Sequence, residues 1–109
     1  MGGVVDKERL VHLGEEDLRI GPGYIKLDGS TVHLTGNEHL LLCAISDACP
    51  NGLAVADIAI HLNSHASNNV SSLVNSHIHT TRKKIVSLSK GKVSIQWNRK
   101  TRAYHLIIL

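Results

Sequence analysis

The sequence predicts one α+β domain in which a small antiparallel sheet is followed by three helices and a C-terminal β-hairpin. Three observations predict this order. Apolar and polar residues alternate around a turn signal within residues 19–34, and again on both sides of a basic turn near the C-terminus. Between them, residues 35–88 carry apolar side chains at helical spacing, interrupted by polar breaks. A chain of 109 residues is long enough for one modest core.

The start of the chain is expected to be less regular. Residues 1–18 show no clear period and are interrupted by glycines, which indicates an N-terminal extension or a first strand. A short strand or a helical turn is expected around residues 8–13. The main domain is expected at residues 19–109, and its first element is a hairpin. The Asp28-Gly29 pair is a strong turn signal, and Val32 alternates with polar neighbours after it.

A capping box predicts the start of the first helix. Thr35 precedes Glu38 by three positions, so its hydroxyl can accept from the backbone N–H of Glu38 while the carboxylate returns to the N–H of Thr35. Residues 39–48 form the expected helix body, and Pro50 ends it. Four residues of this helix are expected to face the core: Leu41, Leu42, Ile45 and Ala48.

A second, short helix is predicted over residues 53–62, because Ala54, Ile58 and Leu62 recur at intervals of four. The following segment, residues 63–69, has no large apolar residue and is expected to be a loop. Its last asparagines are suited to cap the next helix.

The longest predicted helix spans residues 69–88. Its apolar residues form one helical stripe of Val70, Leu73, Val74, Ile78, Ile85 and Leu88. The opposite face has no acid and carries short polar side chains, histidine and lysine. Its members are Ser72, Asn75, Ser76, His79, Thr80 and Lys83. A helix face that offers hydrogen-bond donors and positive charge suits the major groove of DNA, whereas an ordinary amphipathic surface helix is the plain alternative.

Gly91 is suited to the left-handed position that closes this helix. Two strands are predicted after it, at residues 92–96 and 103–108, with a basic hairpin tip at residues 97–102 between them. Strands, helix, short helix, loop, longer helix and hairpin form the order of a winged helix-turn-helix. In that fold the last helix enters the major groove and the hairpin wing reaches the minor groove or the backbone.

Three stretches of the chain match the motifs of a known family. Residues 32–42 (VHLTGNEHLLL) are similar to the pattern v-x-L-T-x-x-E-x-x-L-L, and residues 74–85 (VNSHIHTTRKKI) are similar to V-D-V-H-I-x-x-L-R-x-K-l. Residues 103–106 (AYHL) are similar to G-Y-x-l. In this order the motifs resemble the DNA-binding effector domain of OmpR/PhoB-type response regulators of bacteria. The chain departs from the family at Asn75, Ser76 and Thr81, where relatives carry an acid, Val and Leu.

The resemblance implies a transcriptional regulator that binds double-stranded DNA sequence-specifically. Residues 1–18 are too few for the family's receiver domain, so we expect either a stand-alone effector domain or a fragment of a longer chain. Relatives bind paired half-sites as dimers, and the segment that corresponds to residues 63–69 contacts DNA or RNA polymerase in them. A homodimer on DNA and RNA polymerase are therefore the further partners that the resemblance implies.

Roles follow residue by residue. A carboxamide can pair with the N6 and N7 edge of adenine, so Asn75 is the leading candidate for base readout. The resemblance gives His77 and Arg82 contacts to the DNA backbone, for which intramolecular packing or an ion pair is the alternative. An arginine in the wing suits a narrow minor groove. The full set of predicted DNA-binding residues is Ser72, Asn75, Ser76, His77, His79, Thr80, Arg82, Lys83, Arg99, Lys100, Thr101 and Arg102.

The charge distribution favours a polyanionic partner. Residues 1–57 contain nine acidic and four basic residues, whereas residues 58–109 contain eight basic residues and no acid. About five to seven cations on phosphates would make binding steeply salt-dependent, with a slope near −0.9 per phosphate neutralised. We expect phosphate contacts from the Arg82-Lys83-Lys84 cluster and the wing.

Other classes of function find little support in the sequence. Cys43 and Cys49, six positions apart on one predicted helix, would point to different faces, so we expect no disulfide. His61 and His65 are the only close histidine pair that can share a helix face, and no cysteines have zinc-finger spacing, so we expect no metal or other cofactor. No nucleophile, base and orienting group form a recognisable motif, and we expect no enzyme.

No apolar run approaches the ~18 residues that span a membrane, and the N-terminus lacks the order of a signal peptide. The sequence therefore predicts a cytoplasmic protein, and the DNA binding that the resemblance implies would associate it with the nucleoid. The competing interpretation is a winged helix used for protein–protein contact without DNA binding, because the fold does not fix the function.

Overall fold

The computed structural model describes residues 8–62 and 70–109 and has an α+β architecture. Its elements in chain order are β1 (Arg9–Leu13), β2 (Glu16–Gly21), β3 (Tyr24–Leu27), β4 (Ser30–His33), α1 (Gly36–Ala48), α2 (Val55–His61), α3 (Val70–Ser89), β5 (Val93–Asn98) and β6 (Ala103–Ile108). Strands β1 to β4 form one antiparallel sheet in sequence order, and β5 pairs with β6 in a separate hairpin. This arrangement is compatible with a winged helix.

The N-terminal sheet begins earlier than the expected boundary between residues 18 and 19. The segment around residues 8–13 is a strand, and β2 runs across that boundary with Leu18 paired to Val11. Leu18 is fully buried, so residues 9–18 belong to the same packed unit as the strands that follow. The predicted turn between β3 and β4 is confirmed: Asp28 and Gly29 both have positive φ angles, of 48° and 82°.

The capping box at the start of α1 is confirmed. The Thr35 hydroxyl accepts from the Glu38 backbone N–H at 3.2 Å, and Glu38 Oε1 accepts from the Thr35 N–H at 2.8 Å. Of the four residues expected to face the core, Ala48 is only half-buried, since it lies at the end of the helix. Both cysteines are free thiols.

The second helix is shorter than predicted, because its first residues join the C-terminal hairpin instead. Leu53 and Tyr104 exchange two backbone hydrogen bonds of 2.9 Å each, which makes Leu53 a one-residue strand beside β6. Helix α2 therefore begins at Val55. Ile58 and Leu62 still point into the core, as their spacing predicted.

The apolar stripe of α3 packs against α1, α2 and β5 and also contacts β3 and β4. Val74, Ile78 and Ile85 are buried, as predicted. The gap in the stripe between Ile78 and Ile85 is filled by Thr81, which is 0 % exposed. Its hydroxyl has no hydrogen-bond partner among the described residues. A polar atom therefore occupies the centre of the helix–core contact.

The C-terminus of α3 ends in a Schellman motif. The Lys90 N–H donates to Ser87 O at 3.4 Å and the Gly91 N–H donates to Val86 O at 2.9 Å. Gly91 has the expected positive φ of 84°, but the first left-handed residue is Lys90, with φ 55°. Gly91 in the sequence correctly predicted the turn, but the left-handed conformation begins one residue earlier, at Lys90.

The turn of the C-terminal hairpin is tighter than the predicted tip at residues 97–102. Trp97 and Asn98 belong to β5 and pair with Tyr104 and Ala103, which leaves residues 99–102 as the turn. The Asn98 side-chain oxygen accepts from the backbone N–H groups of Lys100 and Thr101 at 2.8 and 3.2 Å. The N–H groups of Lys100 and Thr101 have no strand partner in the turn, and the Asn98 side chain accepts from them instead, which stabilises the shape of the turn.

Within the part of the chain that the structure describes, no helix combines the length and apolar character needed to cross a bilayer.

Candidate nucleic-acid interface

The exposed face of α3 contains the side chains that its sequence pattern placed there. Ser72 to Lys83 spans eleven positions of regular helix, about 16 Å along the axis. Six predicted residues on this face are exposed: Ser72, Asn75, Ser76, His79, Thr80 and Lys83. The face is therefore long, open and free of acidic side chains.

One residue of this face is fixed by the hairpin. The Tyr104 hydroxyl of β6 donates to Asn75 Oδ1 at 2.9 Å. Tyr104 is itself held by its two backbone hydrogen bonds to Leu53 and by the edge of the Trp97 ring, with the two ring centroids 5.0 Å apart. The hairpin and α3 are thus joined at the position where base readout was expected.

A shallow groove lies at this junction. It is lined by Val55, Ser71, Asn75, Trp97 and Tyr104, from α2, α3 and the hairpin. Trp97 is 44 % exposed, although it is one of the largest apolar side chains of the protein. Sequence reasoning missed Trp97 and Tyr104 as surface features. A signal was present, because two aromatic residues flank the basic turn in a predicted hairpin and so face each other across the strands.

The four residues of the hairpin turn, Arg99, Lys100, Thr101 and Arg102, are exposed as predicted. The Thr101 hydroxyl lies 2.8 Å from His105 Nε2, which anchors this residue to β6. Arg102 adopts a left-handed conformation with φ 54°, and its N–H donates to Asn98 O at 2.8 Å. Three cations therefore project from a turn whose backbone is internally hydrogen-bonded.

The cluster Arg82-Lys83-Lys84 does not act as a unit. Arg82 is half-buried and its Nε donates to the Ile95 carbonyl oxygen at 2.7 Å, which joins α3 to β5. Lys84 Nζ lies 2.5 Å from Glu38 Oε1. Both side chains have internal partners, so the expectation that the whole cluster holds phosphate stays a prediction, and only Lys83 has no internal ion pair or side-chain bond to compete with it in the described residues. The alternative of intramolecular packing describes Arg82 in this structure, and Lys83 alone of the three is exposed.

Glu38 is 2 % exposed and accepts from both Lys84 and the Thr35 N–H. Burial by itself raises the pKa of this carboxyl. The hydrogen bonds from Lys84, from the Thr35 backbone and from Thr80, together with the positive charge of Lys84, outweigh burial, so the pKa of Glu38 lies below its ordinary value. Glu38 is thus a buried, ionised structural group at the start of α1.

His77, predicted to contact the DNA backbone, is half-buried. Its Nε2 lies 3.5 Å from the Asn37 amide nitrogen at the start of α1. The Thr80 hydroxyl donates to the His77 carbonyl oxygen at 3.2 Å, so it lies close to the helix backbone. The predicted loop at residues 63–69, with the expected asparagine cap and His65, lies outside the described residues.

The segregation of charge persists in the folded structure. The acids Asp47, Asp17 and Glu8 pair with Arg9, His12 and Arg19 of the N-terminal half. Of the eight basic residues after position 57, only Lys84 has an acidic partner within residues 8–62 and 70–109. Lys83 of α3 and the three cations of the hairpin turn are therefore left available to an external anion.

Within the same described ranges, no group of three or more histidine, cysteine or acidic residues is close enough to hold a metal ion. Comparison of the whole chain with family models, with curated proteins and with solved structures gives no match.

Proposed function

We propose that this protein is a winged-helix regulator of transcription that binds double-stranded DNA sequence-specifically. Helix α3 enters the major groove, and the hairpin turn at residues 99–102 contacts the minor groove or the backbone. The observation that carries the proposal is the hydrogen bond from Tyr104 to Asn75. It joins the acid-free face of α3 to the base of the cationic hairpin, so that the two surfaces can act on one ligand.

The side chains of α3 suit groove readout. Serine, asparagine, threonine and histidine are short and offer hydrogen-bond donors and acceptors to base edges, and an α-helix fits the width of the major groove. Four exposed cations surround this readout surface: Lys83 on α3 and Arg99, Lys100 and Arg102 on the turn. None of the four has an acidic partner in the described parts of the chain. Phosphate contacts of this kind position a protein on the duplex without reading sequence.

The likeness to OmpR/PhoB-type effector domains extends the proposal. It adds dimerisation on paired half-sites, a contact with RNA polymerase and a place in the bacterial cytoplasm near the nucleoid. In this proposal the protein is not an enzyme and acts by occupying DNA.

A protein–protein module is the second candidate function. The half-exposed Trp97 and the groove beside it favour it, because exposed aromatic residues often anchor protein interfaces. The internal use of Arg82 and Lys84 also favours it, since it leaves fewer cations for DNA.

A charge-matched pair of variants separates the two functions. Arg99→Ala/Lys100→Ala removes two cations of the turn, and Arg19→Ala/Lys26→Ala removes two cations of the N-terminal sheet. If the hairpin contacts phosphates, the turn variant weakens duplex binding across all sequences and reduces the salt slope by about two. The sheet variant keeps the wild-type slope. Equal losses in both variants, with both proteins folded, would count against the assignment of the wing.

A further inference from the structure

We propose that Tyr104 determines base specificity by fixing Asn75 as a hydrogen-bond donor, so that α3 reads guanine rather than adenine at this position. The inference rests on the proposed DNA-binding function and deepens it. Tyr104 is a positioning residue here: it acts through Asn75.

The position of the Tyr104 hydroxyl is set by the fold. Two backbone hydrogen bonds of 2.9 Å to Leu53 fix the main chain of Tyr104, and the Trp97 ring packs at a 5.0 Å centroid distance against its side chain. Leu53 in turn leads directly into α2. The hydroxyl therefore belongs to a rigid junction, whereas an exposed asparagine without such a partner samples several rotamers.

The hydrogen bond decides what Asn75 offers to DNA. A carboxamide carries one acceptor oxygen and one NH₂ group with two donors. Pairing with adenine uses both groups, since the oxygen accepts from N6 and the NH₂ group donates to N7. Tyr104 already donates to Asn75 Oδ1 at 2.9 Å, which takes one of the two lone pairs of the oxygen and turns the NH₂ group, with both its donors, away from the hydroxyl.

Two donors match guanine, whose major-groove edge presents the acceptors N7 and O6. Adenine presents a donor at N6, which would have to use the second lone pair of an oxygen that Tyr104 already holds in place, whereas guanine needs only the two donors of the NH₂ group. The structure thus points to a guanine contact, which differs from the adenine contact that the residue type alone suggested.

The hydrogen bond can be tested in the free protein. Tyr104→Phe removes the hydroxyl and keeps the ring that packs on Trp97. Tyr24→Phe removes a hydroxyl from the N-terminal sheet and is the matched control. We expect the side-chain NH₂ resonances of Asn75, in a ¹H–¹⁵N spectrum, to shift in the Tyr104 variant and to stay in place in the control. Unchanged resonances in the Tyr104 variant would overturn the inference.

The specificity is tested by selection of bound duplexes from a pool with a randomised core. Wild type is expected to select guanine at one position of the site, and Asn75→Ala identifies that position by losing the preference there alone. Tyr104→Phe is expected to lower the guanine-to-adenine ratio at that position about tenfold, since a bidentate contact discriminates by a few kcal/mol at most. Tyr24→Phe keeps the ratio.

Selection of adenine by wild type, or an unchanged ratio in Tyr104→Phe, would contradict the inference while DNA binding stands. Failure of wild type to bind any duplex would instead overturn the proposed function. The resonances of Asn75 still decide in that case whether Tyr104 fixes its side chain.

Discussion

Lys84 Nζ donates to Glu38 Oε1 at 2.5 Å and so ties the middle of α3 to the first turn of α1. The same carboxylate oxygen accepts from the Thr35 N–H at 2.8 Å. One buried acid therefore caps α1 and links it to α3. Lys84, the cation that pairs with Glu38, belongs to the Arg82-Lys83-Lys84 cluster, from which the sequence predicted phosphate contacts.

Replacement of Lys84 by Met is expected to lower the free energy of unfolding by about 2–3 kcal/mol. The reason is that Glu38 would remain buried without its cation, which costs about 3–5 kcal/mol for a fully buried pair, and Lys84 is partly exposed. Urea unfolding measures the change. Lys83→Met is the matched control and should stay within about 0.5 kcal/mol of wild type, because Lys83 is exposed. Equal effects of the two substitutions would show that the ion pair contributes nothing.

The stability of the protein should fall in acid through Glu38. Its pKa in the folded state is below the ordinary value of 4.5, so its interactions contribute stability that is fully present above that pH. The contribution is lost as the pH falls through the lowered pKa of the folded state. Urea unfolding between about pH 3 and 6 tests this, since Glu38→Gln should flatten the acid limb of the profile. If the free energy of unfolding of Glu38→Gln falls with pH as steeply as that of wild type, groups other than Glu38 cause the acid sensitivity.

Thr81→Val is expected to raise the free energy of unfolding by about 1 kcal/mol. Thr81 is 0 % exposed and its hydroxyl has no partner in the described structure, so folding removes that hydroxyl from water without replacement. Valine has the same shape without the polar atom. Thermal or urea unfolding checks the change, with Thr80→Val as the exposed neighbour that should give no gain. A loss of stability in Thr81→Val would show that the hydroxyl is hydrogen-bonded in solution.

The left-handed end of α3 offers an independent test of its backbone. Lys90 has φ 55°, a conformation that costs a residue with a Cβ atom roughly 1 kcal/mol. Lys90→Gly should therefore raise the free energy of unfolding by up to about 1 kcal/mol. The gain is reduced because glycine increases the conformational entropy of the unfolded chain. Gly91→Ala, at φ 84°, should destabilise it by a similar amount. A loss of stability in Lys90→Gly together with a gain in Gly91→Ala would mean that the helix does not end in this motif.

Local signals in the sequence predicted the local structure. The Thr35 to Glu38 spacing, the Asp28-Gly29 turn and the apolar stripe of α3 depend on neighbours within a few positions, and the structure confirms all three. The N-terminal strand β1 carried no clear period, because only Val11 of its five residues is buried.

Contacts between distant residues were not predictable in the same way. Leu53 reads as helical, yet its backbone pairs with Tyr104 from the far end of the chain. Arg82 reads as a surface cation until β5 brings the Ile95 carbonyl to 2.7 Å. A charge or hydroxyl in the sequence does not reveal its partner, so composition alone did not show that Arg82 and Lys84 bond within the protein.

The salt dependence of duplex binding tests whether this protein binds DNA through Lys83 and the cations of the hairpin turn. Fluorescence polarisation of a labelled random-sequence duplex is measured across a salt series that begins at about 50 mM. If Lys83, Arg99, Lys100 and Arg102 are the cations that meet phosphate, we expect the logarithm of the binding constant to fall with the logarithm of the salt concentration with a slope of about −3 to −4, from −0.9 per phosphate. A slope of about −5 to −5.5, as six phosphate contacts would give, would show that Arg82 and Lys84 also meet phosphate. Absence of binding at the lowest salt would contradict the proposal that this protein binds DNA.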